Sequence, residues 1–438
     1  FATFDAFMVC ENFGRLPEQL HLLLHSSQNS LTYPGRRNAP GVNDPTMDTL
    51  CETVKYSLDP DDVEVAAKQV QERLYDPTLL NADNFALAYM CLYTKIHFNS
   101  YNPDLRCIVK SHGYGSDNKW TFLSIYWEPG TERLEDVDGD MLMETVVTWI
   151  LGRPPGSFNP LYASTKYEWE ILARAYDGLT HVNPYNHYDI PWIATDWTIT
   201  EVVGGMEIDL TLRDDVYWQD GYPFNASHVE FCLEFLRDYN IPRYVNPCET
   251  LVDVVVHDAT HCTIEVNEAG LALFYGYAGL GALLPRQIWD RPWASLAALL
   301  AYAPEAWAYG TDMAPGYAPG PWASQVPTNL LGTGPWIYQF YDWIVEYAEM
   351  WANRNYWLLQ GEVRTLRIDM FWEVGDFDRN GLQGVVNVFD LTYVSFAYGS
   401  FQGEPNYHPN ADFDQNGFVD MRDLATCCYH LQWQRYYP

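Results

Sequence analysis

Side-chain oxygens recur at every second position in a short stretch near the C-terminus, and this spacing restricts the backbone strongly. The stretch is ADFDQNGFVDMRDL, residues 411–424. Counted from Asp412 as position 1, Gly417 falls at position 6, where a loop around a cation must turn sharply. This pattern predicts a Ca²⁺ loop, with an Asx-rich surface turn as the alternative. The predicted ligands are Asp412, Asp414, Asn416, the backbone carbonyl of Phe418, Asp420 and Asp423.

A second copy of the pattern lies upstream, in GDFDRNGLQGVVNVFD, residues 375–390. It matches the first spacing only if about three residues, 382–384, are looped out. Its predicted ligands are Asp376, Asp378, Asn380, Asn387 and Asp390. Because of this insertion, we expect the Asp412 loop to bind Ca²⁺ more tightly than the Asp376 loop.

An amphipathic helical pattern follows each loop. Two such loop–helix repeats, over residues 373–433, resemble a dockerin type I module. The resemblance implies a small α-helical calcium module. Its partner is expected to be a cohesin-like domain, a neighbouring subunit or the rest of the chain.

Composition excludes some partners and leaves the compartment open. The 438 residues carry a formal net charge of −33, which argues against nucleic acid or an anionic membrane as a partner. No apolar run is long enough to span a bilayer, and no signal peptide is visible, so we expect a mature or excised fragment. The nine cysteines show no metal spacing, and a disulfide between Cys248 and Cys262 is one open alternative. Calcium loops favour an extracellular or cell-surface location.

Local patterns in the rest of the chain predict a mixed α/β fold. Asp44-Pro45 and Asp59-Pro60 are N-cap and N1 pairs that should open two consecutive helices. Residues 206–212 alternate apolar and polar side chains, as in a half-buried strand. Asn225 suits the N-cap of a further helix.

Four segments in this part of the chain resemble the family 5 solute-binding proteins of ABC transporters. One is LRDDVYWQDGYPFNASHVEF, residues 212–231, in which His228 replaces a commonly acidic residue and is expected to weaken the helix cap. The other three are FNPLYASTKYEWEILARAYDGLTHVNP (158–184), LLPRQIW (283–289) and GTGPWIYQFYDWIVEYAEMWANRNYW (332–357). They occur in the family's order, so residues 151–372 resemble the N-terminal part of such a protein.

Residues 1–130 resemble the closing part of the same family, so the family's end precedes its beginning. Either the fold is permuted, or the chain joins the tail of one binding protein to the head of another. The acidic residues 131–150 are predicted to form the joint. The resemblance therefore implies a two-lobed, periplasmic-binding-protein-like α/β body with permuted segments, followed by the dockerin-like module.

The resemblance implies a receptor that closes on a peptide or oligosaccharide and delivers it to an ABC permease. No catalytic motif is present, so we expect a binding protein and not an enzyme. Two alternatives stay open: a dockerin-tethered glycoside hydrolase, and a structural cell-surface protein that assembles by lobe complementation. Residues 158–184 are called the opening segment. The residues expected to contact the solute are Tyr162, Ser164, Tyr167 and Trp169 in the opening segment, with Tyr33 and Arg36 from residues 1–130.

Overall fold

The N-terminal part of the protein is a pair of packed helices with a short third one. The computed structural model describes residues 17–74, 102–111, 115–131, 134–135, 144–147, 155–359, 368–369, 400 and 418–419, except residues 18, 31, 33–35, 39, 129, 187 and 343–346. The helices are α1 (Gln19–Leu24), α2 (Pro45–Tyr56) and α3 (Pro60–Leu74). Asp44 caps α2 by accepting hydrogen bonds from the amides of Thr46 and Met47. The predicted helix pair is confirmed, and α3 buries Val63, Ala66, Ala67, Val70 and Leu74.

A second N-terminal segment packs into the core of the residues that follow it. It contains β1 (Leu105–Arg106), α4 (Lys119–Ser124) and β2 (Tyr126–Trp127), and β1 pairs antiparallel with β2. The side chain of Asn118 caps α4 through the amide of Thr121. The indole of Trp120 is buried and donates to the carbonyl oxygen of Val182 at 3.0 Å. Val109, Trp120, Phe122 and Leu123 therefore belong to the main apolar core with residues 158–357, whereas Leu105, Ile125 and Trp127 form a smaller cluster with Val147.

The central part of the chain alternates short helices and strands, as the predicted α/β class requires. The strands before and within it are β3 (Leu134–Glu135), β4 (Glu144–Val146), β5 (Thr180–Val182), β6 (Asp189–Pro191), β7 (Ala194–Val202), β8 (Gly205–Leu212), β9 (Leu251–Val256), β10 (His261–Val266), β11 (Trp336–Asp342), β12 (Tyr347–Ala352) and β13 (Ile368–Asp369). The helices are α5 (Lys166–Ala175), α6 (Ala226–Asp238), α7 (Val245–Thr250), α8 (Leu271–Ala278), α9 (Arg286–Trp289) and α10 (Leu296–Leu300). Single 3-10 turns lie at Ser26–Gln28, Pro304–Ala306, Ala323–Gln325 and Trp357–Leu359.

Two larger sheets organise these strands. The first is antiparallel in the order β7-β8-β10-β9, and its inward residues on β8, from Met206 to Leu212, are buried at every second position. The strand predicted over residues 206–212 is confirmed. The second sheet has the order β11-β12-β13-β4-β3, and only its β13–β4 pair is parallel. Strands β3 and β4 lie within residues 131–150, so part of the acidic joint belongs to a sheet.

Helix α6 begins with a reciprocal cap that the sequence did not predict. Asn225 accepts from the amide of Ser227 at 3.0 Å, as expected of an N-cap. His228 was expected to weaken this cap, but its Nδ1 accepts from the Asn225 amide at 3.2 Å. The imidazole therefore takes the place that a glutamate or glutamine holds in a capping box. The expectation was wrong because it considered charge and not acceptor geometry.

The disulfide that the sequence left open, between Cys248 and Cys262, does not form. Cys248 and Cys262 are free thiols, with Cys262 on the inward face of β10 and the Cys248 thiol directed at the carbonyl oxygen of Leu236. Cys107 is disulfide-bonded, and its partner lies outside the described residues. Among the described helices, none is long and apolar enough to cross a membrane.

Candidate functional site

The part of the opening segment that precedes α5 is anchored by buried contacts and carries one exposed aromatic side chain. The ring of Phe158 is buried and lies 5.3 Å from the ring of Tyr338. The Asn159 side-chain amide donates to the carbonyl oxygens of Leu299 and Tyr302, each at 2.9 Å. Tyr162, three residues after Asn159, is 60% exposed. The segment therefore presents Tyr162 on a rigid base.

Helix α5 holds the next two predicted contacts at its start. Glu168 Oε2 accepts from the amides of Ser164 and Thr165 at 2.6 and 2.7 Å, which satisfies two amides at the helix N-terminus. The Ser164 side chain is exposed and Tyr167 is half-buried. Ser164 and Tyr167 thus lie beside Tyr162 in the chain, on a backbone that Glu168 fixes.

Trp169 is part of the wall behind these residues. Its indole donates to the carbonyl oxygen of Ala163 at 3.0 Å. One face lies against Gly281, where an added Cβ would come within 2.8 Å of the Trp169 ring. The guanidinium carbon of Arg243 lies 4.7 Å from the centre of the same ring. Trp169 therefore supports a stacked cation instead of offering a free aromatic face.

Arg243 and Tyr244 are site residues that the sequence reasoning missed. The Tyr244 hydroxyl donates to the carbonyl oxygen of Pro160 at 3.0 Å, which ties the loop after α6 to the opening segment. Arg243 is exposed, and the described residues give it no ion pair with a carboxylate. No local sequence pattern marks Arg243, because its position on the Trp169 ring depends on the fold.

Of the two predicted solute contacts from residues 1–130, the structure describes only Arg36. Arg36 is exposed and forms no hydrogen bond or ion pair with the opening segment in the described part of the chain. Tyr33 lies outside the described residues.

A buried polar pair in the 212–231 segment positions the loops beneath the site. The Gln219 side-chain amide donates to the carbonyl oxygens of Gly334 at 3.1 Å and Trp336 at 2.8 Å, while its oxygen accepts from the Gly332 amide. Next to it, the buried carboxyl of Asp220 accepts from Gln287 at 3.0 Å. Burial raises the pKa of Asp220. Both side chains bind other parts of the protein, so their role is structural.

The predicted calcium ligands lie outside the described residues, except for Phe418. Its ring is 56% exposed, whereas the adjacent Val419 is buried and donates from its amide to the Ser400 carbonyl oxygen at 2.9 Å. Within the described residues, no group of three His, Cys, Asp or Glu side chains could hold a metal ion.

The central part of the chain matches one known protein family. The family model of bacterial extracellular solute-binding proteins, family 5 (middle region), matches residues 190–379. This range includes three of the four segments that carried the resemblance, and the segment at 158–184 lies outside it. Proteins of this family are non-enzymatic binding receptors, in agreement with the prediction that the chain is not an enzyme. A search of curated proteins found no match.

Several solved structures also match part of the chain. NikZ from Campylobacter jejuni, in complex with Ni(L-His), is 24% identical over 50% of this chain and 37% of its own, with a TM-score of 0.35. An oligopeptide-binding protein from Thermotoga maritima with bound mannohexaose is 21% identical over 47% and 33%, with a TM-score of 0.36. AppA from Bacillus subtilis, in complex with a nonapeptide, is 20% identical over 46% and 35%, also with a TM-score of 0.36. The chain spans between 33% and 37% of the length of these three proteins.

Proposed function

We propose that the chain is an extracellular solute-binding receptor that delivers a peptide or an oligosaccharide to an ABC permease. The family 5 match over residues 190–379 is the observation that carries this proposal. The disulfide at Cys107 supports an extracellular location, because disulfides persist in oxidising compartments.

The proposed solute face consists of Tyr162, Ser164, Tyr167 and the Arg243–Trp169 stack. Tyr162 offers an exposed ring on a fixed loop, which suits an apolar side chain or a sugar ring. The Arg243 guanidinium is held by Trp169 and can donate to a carboxylate or to sugar hydroxyls. Tyr33 and Arg36 are proposed to contact the same solute from the N-terminal segment.

A thermal-shift screen of the full chain tests this proposal. The probes are a nonapeptide, mannohexaose and Ni²⁺ with L-histidine, each added with Ca²⁺. A probe present at 100 times its Kd should stabilise the protein by about 2.7 kcal/mol. We expect the peptide or the mannohexaose to do so, and Tyr162→Ala and Arg243→Ala to reduce the shift.

Tyr188→Ala is the matched control, because Tyr188 is 72% exposed on the loop between β5 and β6. It should leave the shift unchanged. Failure of the peptide and the mannohexaose to stabilise the protein, or steady release of a product from either, would contradict the proposal.

The C-terminal residues 373–433 are proposed to form a Ca²⁺-binding, dockerin-like module. The predicted donors are all oxygens, as Ca²⁺ prefers, and the acidic side chains supply the negative charge. The module would dock on a cohesin-like domain or on the protein's own body, and would thereby attach or stabilise the receptor at the cell surface.

A further inference from the structure

Four charged side chains join residues 115–127 to α5. Lys166, Glu170 and Arg174 follow one another at i, i+4 spacing on the helix, and Asp117 faces them from the turn before α4. Arg174 pairs with Asp117 at 3.1 Å, and Lys166 pairs with Glu170 at 3.0 Å. The Lys166 ammonium also lies 3.7 Å from Asp117. The two carboxyl groups therefore share their cationic neighbours.

Most of this cluster is shielded from water. The side chains of Asp117, Glu170 and Arg174 are only 10%, 8% and 6% exposed, while Lys166 reaches solvent. The Arg174 guanidinium also stacks on the ring of Phe122, 3.7 Å from its centre. Burial and the adjacent Asp117 raise the pKa of Glu170 to about 7. Two carboxylates at one shielded site repel each other, which favours the protonated form of Glu170.

We propose that Glu170, buried beside Asp117, forms a latch that holds residues 115–127 on α5 while the Glu170 carboxyl is protonated and loosens when it ionises. The other charged groups that face the pair are Lys166 and Arg174, and the Tyr167 hydroxyl lies near Lys166. The two cations offset part of the repulsion but do not remove it, because Arg174 already pairs with Asp117 and Lys166 is solvated.

Loosening of the latch would not release the segment altogether. Lys119 keeps its buried ion pair with Asp177, and Trp120 keeps its hydrogen bond to Val182. The expected change is more frequent local opening of α4. Because α5 begins directly after Ser164 and Thr165, the latch connects the packing of residues 115–127 to the helix that follows these predicted solute contacts.

Amide hydrogen exchange of residues 119–125 in the full chain tests the latch. The opening equilibrium, corrected for the intrinsic exchange rate, should rise about tenfold from pH 6 to pH 8, given a carboxyl that titrates near 7 when closed and near 4.5 when open. Glu170→Gln should exchange with nearly the same opening equilibrium at both pH values. Glu234→Gln changes a more exposed glutamate, paired with Arg237 in α6, and should behave like the unmodified protein.

Asp117→Asn provides a second variant, which should reduce the pH dependence because it removes the repulsion by Asp117, while burial still raises the pKa of Glu170. An unchanged tenfold rise in Glu170→Gln or Asp117→Asn would overturn the proposal. The absence of any rise in the unmodified protein would overturn it equally.

Discussion

Gln219 shows how a single side chain can fix several distant parts of the backbone. Its amide and oxygen contact Ala175 and three backbone groups between Gly332 and Trp336. Removal of the side chain leaves the buried Gly332 amide without its acceptor and takes one donor from Trp336, at about 1–3 kcal/mol for each group that water does not reach. The Ala175 and Gly334 carbonyl oxygens keep other donors. We therefore expect Gln219→Ala to lower the free energy of unfolding by about 2–3 kcal/mol, measured by urea denaturation.

Gln339→Ala is the control for this change. Gln339 is half-buried on β11, and its amide makes one long contact, 3.4 Å, to the carbonyl oxygen of Ile337. The free energy of unfolding should change by less than about 1 kcal/mol. Equal effects of the two substitutions would mean that the Gln219 contacts do not stabilise the fold.

The imidazole of His228 predicts a pH dependence of stability. It packs against Phe224 and Trp218, and burial, helped by the charge of Arg286, lowers its pKa from 6.5 to about 4. Between these two values the unfolded chain binds a proton that the folded chain does not. The free energy of unfolding must therefore fall as the pH drops from 6.5 to 4, by up to about 3 kcal/mol for this residue.

His228→Gln keeps an acceptor for the Asn225 amide but cannot titrate. Chemical denaturation at pH 7 and pH 4.5 should show a smaller loss of stability in this variant than in the unmodified protein. His21, whose pKa burial also lowers to about 4, contributes to both proteins and cancels in the difference. Identical losses would show that His228 is protonated in the folded state.

At the scale of elements, the sequence predicts the helices and strands whose formation depends on residues close to them in the chain. Asp44-Pro45 and Asn225 satisfy helix amides from within a few residues, and β8 is defined by its own alternation. The position of α4 depends on contacts with residues about 60 positions away, such as Trp120 with Val182. The same holds for Arg243 and Trp169, whose stacking needs two elements that only the fold brings together.

Cys107, which is disulfide-bonded, lies directly after β1 in the segment that also contains α4. A cross-link at this position should restrict the unfolded chain and stabilise the native one by about 2–5 kcal/mol. We expect reductant to lower the free energy of unfolding of the unmodified protein by this amount. Cys107→Ser should start at the lower value and show no further effect of reductant.

Cys248→Ser is the control, because Cys248 is a free thiol whose hydrogen bonds to Leu236 and Ile241 a hydroxyl can replace. It should respond to reductant as the unmodified protein does. A stability that is insensitive to reductant in both proteins would show that the cross-link does not stabilise the fold.

For the molecule as a whole, both described N-terminal parts, residues 17–74 and 102–131, contact the central part of the chain. Lys119 and Asp177 form a buried ion pair across the two parts, and Lys55 on α2 pairs with Glu268 just before α8 at 3.5 Å. Gly270 lies so close to the Lys55 carbonyl oxygen that a Cβ there would come within 2.3 Å. These contacts occur within one chain and join its N-terminal residues to the central part. Assembly by lobe complementation would require these contacts to be exchanged between copies.

Calcium binding by the C-terminal module should raise the stability of the whole chain. Both loops supply oxygen donors, but only the Asp412 loop has the uninterrupted twelve-residue spacing. Calorimetric titration should therefore resolve a tighter and a weaker step. Asp412→Ala should remove the tighter step and Asp378→Ala the weaker one, whereas Asp214→Ala, an exposed aspartate outside the loops, should change neither. The opposite assignment of the two steps would contradict the ranking.

The same module should dock through the starts of its two predicted helices. Loop positions 10 and 11 are Val388-Phe389 in one repeat and Met421-Arg422 in the other. Burial of the three apolar side chains gains about 1.5–3 kcal/mol each, and only Arg422 suits the surface. Because only a few residues separate Trp372 from Asp376, the protein's own body is the expected docking surface. Hydrogen exchange on the Ca²⁺-saturated monomer should then be slow at residues 388–391 and 421–424. Fast exchange at both stretches would rule out internal docking and favour an external partner such as a cohesin-like domain.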